Sequence, residues 1–230
     1  MSGYRTAEEV ERTHLEVLGP VLGPLYHALH NEVAWIHAKW LEYRKLYAKS
    51  EERIDLLNET AGFFFRVVQD TLWENVLLHI ARLTDPPKQR EFENLSLLRL
   101  PRAVEDTQAA LEIDKLLEIV KSRAEFARNW RNRHIAHRDL YLALNKKAQP
   151  LADASRQHVE DVLESFREVL NLIQRRYFGG ETAYQYFHAL GDADALVSHL
   201  SLAVWLEEKR MERFRGGNHS PEDYEYPPKV

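Results

Sequence analysis

HVEDVLESFREVLNLIQR, residues 158–175, decides the fold class. Apolar residues fall at Val159, Val162, Leu163, Phe166, Val169, Leu170 and Ile173, with Leu172 outside the pattern. They recur at i, i+3, i+4 and i+7, the period of a helix with one buried face. The same period runs through 111–130 with Ile113, Leu116, Leu117, Val120, Ala124 and Ala127. Residues 61–83 are apolar on more than one face, which predicts a helix at the centre of a bundle. Residues 21–48 read as a long helix carrying Trp35, Ile36 and Trp40. Gly19-Pro20 and Gly23-Pro24 should separate it from a shorter helix at about 7–18. Residues 192–213 read as one more helix, with Asp192 as its N-cap.

The breaks are as legible as the helices. Thr84-Asp85-Pro86-Pro87 stops the 61–83 helix, and Phe178-Gly179-Gly180 stops the 158–175 helix. Residues 86–110 form a charged connection with a short helix around NLSLLRL. Asn145 to Ala154 is a polar loop. No strand alternation, internal repeat or long linker is visible. The reading is an all-α fold: a single domain over residues 1–215, bundle-like, with about five or six helices. The motif helix spans about 111–138. An acidic, Pro-rich tail, 216–230, is expected to be disordered.

Composition narrows the function. The chain has no cysteine, which excludes disulfides, zinc–thiolate sites and cysteine catalysis and fits a reducing cytoplasm. The charged N-terminus lacks a signal-peptide core, and no run of about 18 uncharged apolar residues is present to cross a membrane. The expectation is a cytoplasmic protein with no membrane association. Net charge is −5, so any polyanion site must be a local patch on an acidic background.

RNRHIAHRDL, residues 131–140, is such a patch. From 121 to 138 the cations are Lys121, Arg123, Arg128, Arg131, Arg133 and Arg138, with Glu125 the one acid. Two readings stand. One is a solvated face paired with acids such as Glu160, Asp161 or Glu164. The other is a phosphate site, built from Arg128, Arg133 and Arg138 with His134 adding to the positive field. The histidines favour chemistry. His exchanges protons near neutral pH, and the planar donor fork of Arg suits phosphate oxygens. Metal-free RNA cleavage needs a proton acceptor or donor and a cation on the transition-state charge. On an ideal helix Arg131 and His137 lie about 600° (a net 240°) and about 9 Å apart. So the helix ends or bends near Ile135, or two copies of the chain share the site. Arg133 and His137, at i and i+4, do share a face.

RNRHIAH also fits the R-(polar)-x(3–5)-H motif, and here the chain resembles the HEPN superfamily, specifically its abortive-infection, AbiU-like branch. IARLTDPP at 80–87, NLSLL at 94–98 and GDADAL at 191–196 resemble that branch too, so the likeness covers most of residues 30–205. The resemblance implies an α-helical, HEPN-like homodimer whose two motifs face one cleft. It also implies metal-independent endoribonuclease activity in an abortive-infection or toxin–antitoxin defence system. RNA is then a partner, an antitoxin protein is a possible one, and no cofactor is needed. His137 would be the acid/base, Arg131 the ligand of the scissile phosphate, and Asn132 its orienting neighbour. Some members are modified on a tyrosine two residues after the motif histidine; here that position is Asp139, and the nearest tyrosine is Tyr141. The alternative within the family is a non-catalytic module that binds nucleic acid, nucleotide or protein.

Other groups have competing readings. His134, His137 and Asp139 have metal-ligand chemistry, but three neighbouring arginines oppose a divalent cation. Asp85 suits a turn cap or a hydrogen-bond acceptor for a motif arginine; Asp85 and Asp139 are therefore the site-ordering candidates. His27, His30 and His37 read as part-buried, hydrogen-bonded boundary residues. Phe63-Phe64-Phe65 and Trp73 read as core or dimer interface. Tyr184-Gln185-Tyr186-Phe187-His188 reads as loop packing, with base stacking the alternative. The Glu207–Arg215 run reads as a solvated helix end.

Overall fold

The computed structural model describes residues 6–144, 149–186, 189 and 191–224. Part of the 145–154 loop, Phe187 and His188, and the tail end 225–230 thus lie outside the described residues. Among the described residues there are eight α-helices, not five or six. In chain order they are α1 (Ala7–Tyr47), α2 (Glu51–Leu83), α3 (Leu100–Ala103), α4 (Thr107–Arg123), α5 (Glu125–Trp130), α6 (Leu140–Ala143), α7 (Arg156–Phe178) and α8 (Ala193–Arg215). The undercount has a physical cause. α3, α5 and α6 are four to six residues long, too short for the helical apolar period to repeat. The expected motif helix over 111–138 is also corrected. It breaks at Ala124 between α4 and α5, inside an uninterrupted apolar pattern. A two-stranded antiparallel hairpin, β1 (Lys88–Gln89) and β2 (Phe92–Glu93), escaped the sequence reading because two-residue strands cannot alternate.

α1 is a helical hairpin rather than a rod. Gly19 adopts φ 74°, a left-handed conformation that glycine takes without steric cost. His14 Nδ1 lies 3.2 Å from His27 Nδ1, although 13 residues of straight helix would separate them by about 20 Å. The 7–18 segment therefore folds back at Gly19-Pro20. The close approach needs a second glycine: a Cβ on Gly23 would sit 2.9 Å from Leu15 Cα.

The chain forms two compact units. The larger comprises residues 1–41 and 71–187. In it α4 packs on α7; Ile113, Leu117 and Val120 of α4 and Val159, Leu163, Phe166 and Leu170 of α7 are all buried. Tyr26, Leu29, Val33 and Ile36 of α1 and Val76, Leu77 and Ile80 of α2 are likewise buried. Ser155 caps α7 by accepting from the His158 amide, and Gly179 ends it at φ 69°. His27, His30 and His37 of α1 are held as hydrogen-bonded groups. His30 Nδ1 is 2.6 Å from the buried Tyr184 hydroxyl, His37 Nδ1 is 2.8 Å from the Val33 carbonyl, and Asn31 contacts His27.

The smaller unit comprises residues 42–70 and 188–230. Asp192 caps α8 by accepting from the Ala195 amide and pairs with Lys45 at 2.7 Å. Asp194 binds Arg53 at 2.7 Å. Of the aromatic run, Phe65 is buried. Phe63 and Phe64 are 85% and 58% exposed in the single chain, so of the two readings, core or dimer interface, these two residues leave the core. They follow Ala61, whose non-helical backbone turns this part of α2. Residues of the expected tail, Pro221–Tyr224, form a 3-10 turn in which buried Asp223 accepts from Arg213 and Ser220. Among the described residues no helix is long and apolar enough to cross a membrane.

Candidate active site

The motif lies in the larger unit, where α5 runs into a π-helical turn, Arg131–Ile135. The Ala136 amide donates to the Arg131 carbonyl at 2.8 Å, a bond from i+5 to i. Such widened turns insert a residue into a helix and recur at functional sites. The helix ends there, and His137 stands on non-helical backbone, exposed, with no hydrogen bond or ion pair among the described residues.

Arg131 is firmly held. Its Nη1 donates to both Asp85 oxygens, at 2.7 and 2.6 Å, and its Nε donates to Asn132 Oδ1 at 3.0 Å. Both Arg131 and Asp85 are less than a quarter exposed. Asp85 follows the end of α2, and its carbonyl is bound by the hydroxyl of buried Ser96 at 2.6 Å. The turn therefore delivers the carboxylate, and the carboxylate orients the guanidinium. Removing it should free Arg131 and leave a part-buried cation without its partner. Asp85→Ala is expected to cost about 2 kcal/mol of stability and to slow any reaction at the motif about tenfold or more. Asp85→Asn, which still accepts, should restore part of both. Denaturant titration beside rate measurement checks this; equal rates in both variants would remove the positioning role.

The remaining motif residues divide by what they touch. Arg133 donates to Asp139 at 3.2 Å and to the Pro150 and Gln149 carbonyls at 3.1 and 2.6 Å. Asp139 also caps α6, accepting from Tyr141 and Leu142 amides. The Leu142 amide above all, then Arg133 and the Tyr141 amide, outweigh burial and hold its carboxyl below the usual carboxylate range. Arg128 donates to the Thr84 and Lys121 carbonyls, both at 3.0 Å, and to Glu125. Arg123 donates to the Asp161 carbonyl and to Ser165. Arg128 and Arg133, expected as phosphate contacts, are thus engaged by the scaffold, because loop carbonyls and helix ends need donors. His134 lies 3.3 Å from Glu74 and edge-on to Trp130 at 5.5 Å. Arg138 alone of the patch's cations is exposed with no partner among the described residues. His134, His137 and Asp139 do not converge: no three His, Cys, Asp or Glu side chains form a metal-binding group among the described residues.

The family model HEPN_AbiU2 (AbiU2) matches residues 21–196. The chain belongs to the AbiU2 family of HEPN proteins. The match starts just past the Gly19 break, contains the whole RNRHIAH motif and ends in the first turn of α8. An AbiU2 protein of this kind is an abortive-infection-related HEPN module. No curated protein and no solved structure gave a significant match.

Sequence reasoning missed Glu74, Ser96 and Trp130 around this AbiU2 motif. Glu74 carried a signal, a charge within an apolar helix. Trp130 Nε1 donates to the Ala152 carbonyl at 2.8 Å, and Asn129 Oδ1 accepts from the Ala152 amide at 3.0 Å, so α5 pins the loop before α7. That pairing joins residues more than 20 apart and leaves no local pattern.

Proposed function

We propose that this AbiU2 protein is a metal-independent endoribonuclease of a defence system, acting in a cleft shared by two copies of the chain. HEPN domains are often ribonucleases. The observation that carries the reading is the contrast within the motif: Arg131 is oriented by Asp85 and Asn132, while His137 is exposed and unpartnered among the described residues. A held cation and a free imidazole are what transesterification requires. The RNA 2′-hydroxyl attacks phosphorus, the P–O5′ bond breaks, and one proton leaves O2′ as another reaches O5′. His137 moves a proton, and Arg131 binds the phosphate oxygens through Nη2, which no described residue engages. Arg138 adds an exposed charge along the strand. An antitoxin protein would act by covering this surface.

The Arg131–Asp85 ion pair also favours a second reading. A cation already paired has less charge to offer a phosphate, as suits a module that binds nucleic acid without cutting it. One assay separates the two. Purified protein incubated with mixed tRNA in EDTA should yield fragments ending in 2′,3′-cyclic phosphate. Intact tRNA, retained in a salt-sensitive manner, would instead establish the binding module.

A further inference from the structure

We propose that the β1–β2 hairpin is a binding site for an unstacked base of single-stranded RNA, with Phe92 as the stacking surface and Arg90 as a phosphate contact. This rests on the RNA reading above. The hairpin is tied to the motif through Asp85. The residue that orients Arg131 by its carboxylate is bound by Ser96 at its carbonyl. Asn94 then closes the hairpin base by donating to the Pro87 and Pro86 carbonyls, at 2.9 and 2.8 Å. Phe92 lies two residues from Asn94, so its backbone is within about 7 Å of that base.

The two faces of the hairpin are unequal. Lys88 pairs with Glu93 across the ladder, and Gln89 with Phe92; paired residues share a face. On the first face Arg99 reaches the Glu93 carboxylate and the Pro87 carbonyl, which anchors it. On the other, Phe92 is 67% exposed beside exposed Gln89. A large aromatic turned to water gains nothing from folding. Beside an amide side chain it is suited to stack on a base, and stacking accepts any base because each has a π-face.

Arg90 supplies the second, independent observation. It has φ 58°, and it is the one non-glycine residue with positive φ among those described. It is the first residue of a two-residue loop, where a left-handed backbone favours glycine. Arginine there is costly, and its side chain is exposed without a hydrogen bond or ion pair among the described residues. Its charge is thus displayed at a strained position next to a candidate site. Lys88, also exposed, lies on the other face, opposite Glu93. Glu91 is the opposing acid in the loop, and Glu93 is neutralised by Arg99.

The test uses the full chain and a short RNA oligomer with 2′-O-methyl sugars, which cannot be cleaved by the 2′-oxygen. Phe92→Ala should weaken its binding about tenfold while leaving binding of a duplex of the same length unchanged. Arg90→Gly should keep or raise the melting temperature, since glycine suits the backbone. It should also lower the slope of log affinity against log salt by about 0.7. Variants that bind as the wild type does, beside a wild type that cleaves RNA, would overturn the hairpin site alone. A wild type that neither binds nor cleaves RNA would overturn both readings. A Phe92→Ala variant altered only in molecular mass in solution would make the hairpin a self-association surface, and the proposal would fall.

Discussion

Replacing His137 with alanine is expected to reduce RNA cleavage by about 10²–10⁴-fold, the usual contribution of a positioned acid or base. The structure makes this substitution clean. His137 is exposed and has no partner among the described residues, so its removal opens no cavity and orphans no hydrogen bond. The melting temperature should move little, as for other surface substitutions. Rate and stability are then decoupled, unlike Asp85→Ala, which should lower both. RNA retention should also persist in His137→Ala, because Arg131 and Arg138 remain. Cleavage at the wild-type rate would exclude His137 as the proton carrier and turn attention to His134 beside Glu74.

Acidification is expected to destabilise the larger unit steeply between about pH 6.5 and pH 4. Burial, reinforced by the neighbouring His14 and His27, pulls the pKa of His30 down to about 4. Burial likewise brings His37 to about 4: the Val33 carbonyl opposes the shift and Arg167 adds to it. In the unfolded chain both titrate near 6.5. Below that pH the unfolded state binds protons that the folded state refuses, so stability falls as pH falls. It is fully present above about pH 6.5. Each histidine contributes a slope of about 1.4 kcal/mol per pH unit across the window. Two together approach the whole stability of an ordinary domain by about pH 4.5. His14 and His79 are lowered too, chiefly by burial, and add to the same trend. Denaturant titrations from pH 7.5 to 4.5 would check this, with His30→Gln flattening the curve while keeping a hydrogen bond to Tyr184. An unchanged slope in that variant would assign the acid sensitivity elsewhere.

Much of this fold is legible in the sequence because long amphipathic helices write their period into it. Val159 to Ile173 announces α7, Asp192 announces the start of α8, and Gly19-Pro20 announces the break in α1. Chemistry was legible where it is contiguous: RNRHIAH holds its arginine, amide and histidine within seven residues. Elements shorter than one apolar repeat were hard to read: α5, α6 and the 88–93 hairpin went unread, and the short helix expected around NLSLLRL is found as a 3-10 turn at Leu97–Arg99 leading into α3.

The sequence by itself determined an all-α HEPN chain of the AbiU2 family and the residue types at its motif, since local periodicity and contiguous side chains are properties of the chain alone. Tertiary structure decided which of the readings open in the sequence, Asp85 as turn cap or as acceptor for a motif arginine among them, the fold adopts. It joined Arg131 to Asp85 across 46 positions, engaged Arg128 and Arg133 on backbone carbonyls, and ended the helix in a π turn that leaves His137 free. Partners that far apart are selected by packing and by the need to satisfy buried polar groups. Neither leaves a trace in local spacing.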